Sequence, residues 1–196
     1  MSSNSIHSTA GTHGKNRIGT REYVLCGLFC ALMIVGANLR IPFPVVPLTF
    51  QPFFAILSGL LLGARLGLLT QCVYMLIGLA GMPVFAGGSA GFPYVLKPTF
   101  GFLLGFALAA LLSGLIVGKA AKPGLVRIGL ASAAGLAAIY IVGIGYMYLI
   151  QSFYLAKEVT LFGVAQAMLP FLIKDLVLFM AASAISLRLL PLLRKG

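Results

Sequence analysis

The sequence predicts an all-α integral membrane protein with six transmembrane helices. Of its 196 residues, 60% are hydrophobic and 9% are charged, and the mean hydropathy is +1.07. Soluble domains carry about 25% charged residues, so the composition excludes a soluble globule. The apolar residues form long runs rather than a strict alternation, which indicates helices and not a β-barrel. A chain of this length is expected to form one domain, residues 21–196, behind a short N-terminal tail.

The tail, residues 1–20, reads "MSSNSIHSTAGTHGKNRIGT" and is rich in Ser, Thr and Gly. It lacks the apolar core of a cleavable signal peptide, and its composition is typical of disorder. We therefore expect a disordered cytoplasmic tail. Both histidines, His7 and His13, lie in it, so the predicted membrane domain contains no histidine.

The first three predicted spans follow one another through short connections. Span one covers about 22–39 and ends at the proline-rich turn 40–50. Span two, 50–62, would reach only about 20 Å at 1.5 Å per residue, whereas the hydrocarbon core is about 30 Å thick. We expect the extended segment before it to help it across. The sequence "GAR" at 63–65 then turns the chain into span three, 66–81.

The last three predicted spans are separated by polar or basic stretches. Span four runs from Pro98 to about 118, and the basic link "KAAKPGLVR" leads to span five, about 127–150. The segment 151–169 contains a lysine and a glutamate, and a short surface helix is expected in it. Span six covers about 170–190 and is followed by the basic end "RLLPLLRKG".

The distribution of basic residues predicts that both termini are cytoplasmic. With six spans, the side that holds the termini receives ten basic residues and the other side receives three. The ten are Lys15, Arg17, Arg21, Arg65, Lys119, Lys122, Arg127, Arg188, Arg194 and Lys195, and the three are Arg40, Lys97 and Lys157. An excess of Lys and Arg marks cytoplasmic loops. Three irregular segments, 40–50, 82–97 and 151–169, are therefore expected at the outer face.

Asp175 is the strongest candidate for a functional residue. The other acids, Glu22 and Glu158, lie at the start of span one and in an outer segment, whereas Asp175 interrupts the apolar sequence "LPFLIKDLVLF". A charge at the centre of a bilayer costs about 2.5–3.5 kcal/mol on insertion scales, so such a residue usually faces a cavity or a partner. With Pro170 in the first helical turn, Asp175 would lie about 7–8 Å below the outer end.

Lys174 precedes this aspartate, and two interpretations of it stay open. Consecutive helical residues diverge by about 100°, which predicts that both side chains cannot point directly into one cavity. Lys174 either extends toward the outer interface or pairs with Asp175 or with an anion.

The glycine-rich segment "GMPVFAGGSAGFPYVLKPTFGF" interrupts the apolar sequence between spans three and four. Gly87 and Gly88 would let bare backbone amides approach a ligand. Lys97, followed by Pro98 and Thr99, is typical of a helix start, and together with the positive helix end it would favour an anion such as a carboxylate. The alternative is an ordinary outer loop with a solvated lysine.

A few polar and small residues in the other spans are candidates for a cavity or for packing. Gln51 follows the proline turn, and Gln71 and Tyr74 share one face of span three. Each of them could line a cavity or serve as a hydrogen-bonding contact between helices. Gly27 and Ala31 lie one turn apart in span one and permit close helix contact, either within the protein or with a partner.

Several function classes are excluded by what the sequence lacks. The segment "GLIVGKA" is one residue too short for a phosphate loop and has no Ser or Thr after its lysine, which excludes ATP hydrolysis by that route. Without a histidine in the membrane domain, serine–histidine and zinc enzymes are excluded as well. Cys26, Cys30 and Cys72 fall in apolar sequence and are expected to pack as small apolar residues. We expect no catalysis, no metal and no cofactor.

The net charge of +11 is located in the connections, which favours a lipid bilayer and not nucleic acid as the partner.

The order of motifs in residues 41–106 resembles the BioY family, the biotin-specific substrate-binding components of energy-coupling-factor transporters. The motifs are the proline turn "IPFPVVPLTF", then "LLLGARLG", "GMPVFAGG" and the helix start "KPTFG". The resemblance extends more loosely through "LPFLIKDLVL", so it covers nearly the whole membrane domain.

This resemblance implies a multi-pass protein of the inner (cytoplasmic) membrane with six helices and both termini inside. It implies a biotin pocket near the outer face, closed by the loops after spans one and three and by span six. A separate module, made of a membrane coupling subunit and two ATPase subunits, would supply the energy. Gly27 and Ala31 match the position at which such components dock onto the coupling subunit.

The residues identified above suit biotin. Its ureido ring offers N–H donors that the Asp175 carboxylate could accept, and its carboxylate suits a lysine. Phe85, Tyr74 and Tyr94 would cover the bicyclic body.

The chain departs from the family pattern at three places. The lysine that follows the family aspartate by three residues is replaced by Leu178, whereas Lys174 precedes the aspartate. Lys97 replaces a glycine, and "PTGG" reads "PTFG". We expect Lys97 or Lys174 to compensate for the missing lysine.

Two other functions stay open at this point. One is a self-sufficient vitamin permease that uses Asp175 as its coupling group, and the other, a small membrane enzyme, is disfavoured by the missing histidines and paired acids. The sequence leaves open whether the ligand is biotin or a close analogue, whether the chain works alone, and its oligomeric state.

Overall fold

A computed structural model describes residues 19–41, 47–118, 120 and 123–193. It is mostly helical. The α-helices are, in chain order, α1 (Thr20–Asn38), α2 (Gln51–Leu62), α3 (Ala64–Leu79), α4 (Phe100–Val117), α5 (Leu125–Leu149), α6 (Leu161–Ala167) and α7 (Leu169–Leu193). A short two-stranded ribbon, a 3₁₀ helix (Phe92–Leu96) and a π-helical turn (Ile150–Tyr154) complete the described chain.

Each predicted span contains one helix, and the helix ends lie within three residues of the predicted ones. In the described chain, four segments are long and apolar enough to cross a membrane: Thr20–Asn38, Phe100–Val117, Leu125–Tyr154 and Leu169–Leu193. With 12 residues in α2 and 16 in α3, these two apolar helices are shorter. At 1.5 Å per residue they reach about 18 Å and 24 Å.

The helix α2 lies at the centre of the bundle because it is apolar on all sides. Nine of its 12 residues are buried, including Pro52 in its first turn. It ends at Gly63, which adopts φ +84° and starts α3 directly, so the two helices are joined by a single residue. A positive φ of this kind is accessible mainly to glycine.

Small residues bring α2, α3 and α4 into close contact. A Cβ atom at Gly59 of α2 would collide with the Ala110 backbone of α4, and one at Gly67 of α3 would lie 2.9 Å from the Gly59 Cα. A Cβ at Gly114 of α4 would collide with the backbone of Ala64 at the start of α3. Glycine at helix crossings allows this approach, which favours dispersion contacts between membrane helices.

The connection between α1 and α2 is partly a β-ribbon, which the all-α prediction missed. Strands β1 (Arg40–Ile41) and β2 (Leu48–Thr49) pair antiparallel, with Arg40 opposite Thr49. Prolines discourage a helix in this segment, whereas the pairing of two short strands satisfies backbone hydrogen-bonding groups within the connection. Residues 42–46 of the predicted proline turn lie outside the described residues.

The connection between α3 and α4 is irregular, as the glycines and prolines predict. A single bridge pairs Phe85 with Ser89, Gly87 and Gly88 have positive φ, and the 3₁₀ helix follows. The predicted helix start at Pro98 was two residues early. The Lys97 carbonyl accepts from the Phe100 amide in a turn, and α4 begins at Phe100.

The start of α1 and the end of α7 lie side by side. Arg21 Nη2 donates to the Leu193 carbonyl at 2.8 Å, and the Glu22 carboxylate accepts from the Gly19 amide at 2.8 Å. Residues 1–18 of the predicted tail lie outside the described residues. So do six of the basic residues used for the orientation, namely Lys15, Arg17, Lys119, Lys122, Arg194 and Lys195.

The segment 151–169 contains the short helix α6, in agreement with the expected surface helix. The Thr160 hydroxyl caps it by accepting from the Gly163 amide at 3.1 Å. This helix and the preceding π-helical turn expose aromatic side chains, with Phe153 76% and Phe162 78% exposed.

Candidate functional site

A cavity opens at the end of the bundle opposite the Arg21–Leu193 contact. It encloses about 530 Å³ of empty space, including the part open to solvent. The residues that line it are Pro47, Thr49, Gln51, Pro52, Ala86, Tyr94, Thr99, Phe102, Leu103, Phe106, Ile139, Tyr140, Met168, Phe171, Lys174 and Asp175. Small-molecule sites typically combine apolar walls with a few convergent polar groups. This cavity has that composition.

Asp175 lies in the wall of the cavity and is only 4% exposed. The Tyr140 hydroxyl on α5 donates to Asp175 Oδ2 at 2.8 Å, and Lys174 Nζ lies 2.7 Å from Oδ1. The Lys174 contact is short, but Oδ1 accepts no well-aligned hydrogen bond from any described group. Oδ2 is therefore held by a hydrogen bond and Oδ1 by the ion pair, and Oδ1 keeps acceptor capacity because a carboxylate oxygen has two lone pairs.

Lys174 also lines the cavity, which corrects the expectation that it and Asp175 could not both face one cavity. The two Cα–Cβ directions diverge on the helix, but the four-carbon stem of lysine lets its ammonium return to the neighbouring carboxylate. The ammonium also donates to the Thr49 carbonyl in β2. Of the two open interpretations, the structure thus places Lys174 as the partner of Asp175. Among the described lining residues, only this pair is charged.

Gln51 lines a second part of the wall and is fixed by a chain of hydrogen bonds. Its Nε2 donates to the Tyr74 hydroxyl at 2.8 Å, which in turn donates to the Val84 carbonyl at 3.0 Å. Tyr74 is 1% exposed and lies behind Gln51, outside the cavity lining. Tyr74 therefore orients Gln51, and the carbonyl oxygen of Gln51 remains available.

Tyr94 forms an aromatic wall of the cavity. Its ring stacks on Phe85 with centroids 4.5 Å apart, and Phe85 meets Tyr74 edge to face at 5.7 Å. Phe85 is fully buried behind this wall and does not line the cavity. Burial raises the pKa of the Tyr94 hydroxyl above 10.0, outweighing the hydrogen bond from Thr99 that lowers it. The phenol therefore stays neutral at physiological pH.

Besides Tyr74 and Phe85, three further predicted site residues lie outside the cavity lining. Lys97 is exposed, and its ammonium donates to the Ser89 hydroxyl at 3.2 Å and lies 5.1 Å from the centroid of the Tyr94 ring. Gly87 and Gly88 are exposed in the same connection, and the Gly88 amide donates to the Phe85 carbonyl at 3.0 Å. The Gly87 backbone lies against the guanidinium of Arg40.

The sequence did not single out Tyr140, Phe102, Phe106, Met168 or Phe171, which complete the cavity. Tyr140 carried a weak signal, because it is a polar group inside the apolar run of span five. The others are apolar residues in apolar helices, and nothing in the sequence separates those that face a cavity from those that face lipid or another helix.

Gly27 and Ala31 lie on an exposed face of α1. A Cβ atom at Gly27 would have no neighbour within 4 Å. Leu28 and Val35 of the same helix are also about half exposed, at 52% and 48%. This face is thus unoccupied by other described elements of the chain.

The described residues contain no group of three or more His, Cys, Asp or Glu side chains that could hold a metal ion. Cys26 and Cys30 are buried, and the Cys30 thiol donates to the Thr70 carbonyl at 3.3 Å.

Comparisons with known proteins identify the family. The model of the BioY family matches residues 7–195. A probable biotin transporter BioY of Lysinibacillus sphaericus is 46% identical over 66% of this chain and 65% of its own length. A probable biotin transporter BioY of Pyrococcus horikoshii is 41% identical over 86% of this chain and 96% of its own length.

The fold is also similar to that of a solved structure. The crystal structure of the S-component for biotin from an ECF-type ABC transporter superposes with a TM-score of 0.66, covering 86% of this chain and 90% of that chain at 21% identity. At 21% identity, this similarity shows a shared fold and nothing more. The match of the family model over nearly the entire length, together with these relatives, shows that this chain belongs to the BioY family.

Proposed function

We propose that this chain takes up biotin as the membrane-embedded, biotin-binding subunit of a transporter. The observation that carries the proposal is the cavity, in which a buried carboxylate with its lysine partner and a tyrosine face an apolar, aromatic wall in a member of the BioY family. The relatives above are named biotin transporters, so the chain is not an enzyme, as the sequence predicted.

The chemistry of biotin fits the two kinds of surface in the cavity, one aromatic and the other made of hydrogen-bond acceptors. Its bicyclic body suits the aromatic side formed by Tyr94 on Phe85 and by Phe102. Its ureido ring carries two N–H donors, and Asp175 Oδ1 and the Gln51 carbonyl oxygen are acceptors with capacity to spare. We propose Asp175, Gln51 and Tyr94 as direct contacts. Tyr74 and Phe85 support them from behind, and Gly87 and Gly88 shape the connection above the cavity.

A panel of ligands tests this assignment directly. Purified protein in detergent is expected to bind desthiobiotin, which keeps the ureido ring, within about tenfold of biotin. It is expected to bind lipoate, which has a carboxylate tail but no ureido donors, at least about 100-fold more weakly, because unpaired buried acceptors are costly. Calorimetric titration measures the three dissociation constants. Equal affinity for lipoate and biotin would contradict the proposed contacts.

Lys174 is the better placed replacement for the lysine that the family resemblance implies at position 178, where this chain has Leu178. An ammonium offers three N–H donors, and Lys174 directs one to Thr49 and one toward Asp175, which leaves one for the ligand carboxylate. Lys97 is the second candidate, and it lies outside the cavity beside Ser89.

Charge-removing substitutions separate these two lysines. Lys174→Gln is expected to weaken biotin binding about 10- to 100-fold, because it removes the cation proposed for the ligand carboxylate, and a hydrogen bond to a charged group contributes about 1.5–3 kcal/mol. Lys97→Gln is expected to weaken it less than about threefold, as for an exposed pair. The exposed Lys157→Gln is the matched control. If the double variant of Lys97 and Lys174 binds biotin like the parent, neither lysine replaces the family residue.

We further propose that six helices span the inner membrane, that both termini are cytoplasmic, and that the cavity lies near the outer face. The contact between Arg21 and Leu193 supports termini on one side, and the cavity lies at the other end of the bundle. The short helices α2 and α3 would cross with the help of the flanking connections. The arrangement follows the positive-inside rule.

Energy would come from a module of a membrane coupling subunit and two ATPase subunits, docked on the exposed α1 face with Gly27 and Ala31. Replacing both residues with leucine is expected to leave biotin binding by the purified subunit unchanged and to reduce cellular uptake at least about tenfold, because close helix approach requires small residues. Gly129→Leu on α5, where a Cβ also meets nothing within 4 Å, is the control. Unchanged uptake would place the docking surface elsewhere.

The self-sufficient permease, with Asp175 as coupling group, is the alternative. Its test is uptake by cells that lack every energy-coupling module: uptake that persists there favours the permease, and uptake that stops favours the subunit.

A further inference from the structure

We infer that Tyr140 is a specificity-determining residue, which together with Asp175 presents hydrogen-bond acceptors to the N–H groups of the ligand. The inference rests on the proposed function. It adds a residue from α5 to a site whose predicted members lie elsewhere in the chain.

The first step is the contact between the two side chains. The Tyr140 hydroxyl donates to Asp175 Oδ2 at 2.8 Å, and both residues line the cavity. The hydroxyl has one hydrogen, and it is used in this bond. Facing the cavity, Tyr140 can therefore only accept, through the lone pairs of its oxygen.

The second step concerns the carboxylate. Tyr140 occupies Oδ2, and the Lys174 ammonium lies beside Oδ1 at 2.7 Å without an aligned hydrogen bond. In the ion pair with Lys174 the carboxylate carries the negative charge, and an ionised carboxylate accepts hydrogen bonds and cannot donate them. The Tyr140–Asp175 pair is therefore an acceptor-only surface.

The third step concerns rigidity. The Tyr140 ring packs edge to face against Phe102, with centroids 6.4 Å apart and planes at 89°. Tyr140 and Asp175 lie on different helices, so their hydrogen bond fixes the position of the carboxylate relative to α5. Held in place by packing and by its own hydrogen bond, the acceptor pair is pre-organised for a donor.

The consequence is selection for N–H groups. A ureido ring has two N–H groups that diverge, so one carboxylate oxygen cannot take both. Asp175 Oδ1 can accept from one, and the Tyr140 oxygen or the Gln51 carbonyl can accept from the other. A ligand methylated on either nitrogen loses a donor and leaves a buried acceptor unpaired, and sites of this kind reject such analogues strongly.

The test compares biotin with its two N-methyl isomers, methylated on one or the other ureido nitrogen. Purified parent protein is expected to bind at least one isomer about 100-fold or more weakly than biotin. Tyr140→Phe is expected to bind biotin about tenfold or more weakly. The ratio of the dissociation constant of that isomer to the dissociation constant of biotin is expected to be smaller than in the parent protein. Tyr146→Phe is the matched control, because Tyr146 lies on the same helix and its hydroxyl donates to the Val95 carbonyl outside the cavity.

Each outcome of this test either supports or overturns the inference about Tyr140. A purely structural role of Tyr140 would weaken the binding of all ligands by one factor and leave the ratio unchanged, which overturns the inference. The parent protein alone supplies a second measurement that needs no folded variant: if it binds both N-methyl isomers as tightly as biotin, the inference is also overturned. If the parent protein binds biotin and both N-methyl isomers with equal affinity, only this inference fails. If it does not bind biotin at all, the proposed function itself is refuted.

Discussion

Replacing Asp175 with asparagine is expected to weaken biotin binding by about 100- to 1,000-fold. A hydrogen bond to a charged group contributes about 1.5–3 kcal/mol and an unpaired buried donor costs about 1–3 kcal/mol more, and about 1.4 kcal/mol corresponds to a tenfold change in affinity. Asparagine keeps the shape of the side chain, but it loses the charge that neutralises Lys174 and offers an amide donor where the ligand needs an acceptor. The Tyr140 hydroxyl would still find an oxygen at its present distance of 2.8 Å.

Titration of the purified variant with biotin measures the change, and thermal melting in detergent shows whether the protein is still folded. Glu158→Gln is the matched control, because Glu158 is an exposed acid in the connection before α6. A folded Asp175→Asn protein with less than tenfold loss of affinity would show that the carboxylate does not contact the ligand.

Replacing Gly114 with valine is expected to have the largest effect on stability. A Cβ at this position collides with the backbone nitrogen of Ala64 and lies 2.5 Å from its Cα. These are backbone atoms at the junction of α2 and α3, so they cannot move aside as a flexible side chain would. Overpacking of this kind costs about 1–3 kcal/mol and sometimes more. We expect a strongly lowered melting temperature or no folded protein.

The control is Gly129→Ala on α5. A Cβ at Gly129 meets no atom within 4 Å, and replacing a helical glycine with alanine is expected to stabilise by up to about 1 kcal/mol. Melting curves in the same detergent compare the two variants. Similar melting temperatures for both would show that the crossing between α3 and α4 is looser than described.

The positions of the helices could be predicted because the residues next to each boundary in the sequence determine where the helix begins or ends. The apolar runs stop at glycine, proline or basic residues, and α2 (Gln51–Leu62) lies within one residue of the predicted span 50–62. The short ribbon between α1 and α2 could not be predicted, because two-residue strands leave no periodic pattern. The start of α4 was missed by two residues, because both Pro98 and Thr99 suit either a first helical turn or the turn that precedes it.

Part of the candidate site was also accessible from the sequence. Asp175 stood out because a charge in an apolar run requires a partner or a cavity. Gln51 was identified as a polar residue after the proline turn, and Tyr94 as an aromatic residue that would cover the biotin implied by the family resemblance; both line the cavity. Tyr140 was missed, because its distance of 35 residues from Asp175 along the chain says nothing about their contact.

Apolar helices, an irregular connection between the third and fourth of them, and one acid within an apolar run can all be read from the sequence. These properties depend on composition and on neighbours along the chain. The contacts between side chains follow from the three-dimensional arrangement instead. The reach of Lys174 back to Asp175, the hydrogen bond from Tyr140, and the positions of Lys97, Gly87 and Gly88 outside the cavity lining depend on how helices and connections cross in space. Such contacts join residues far apart in the chain, and no local preference encodes them.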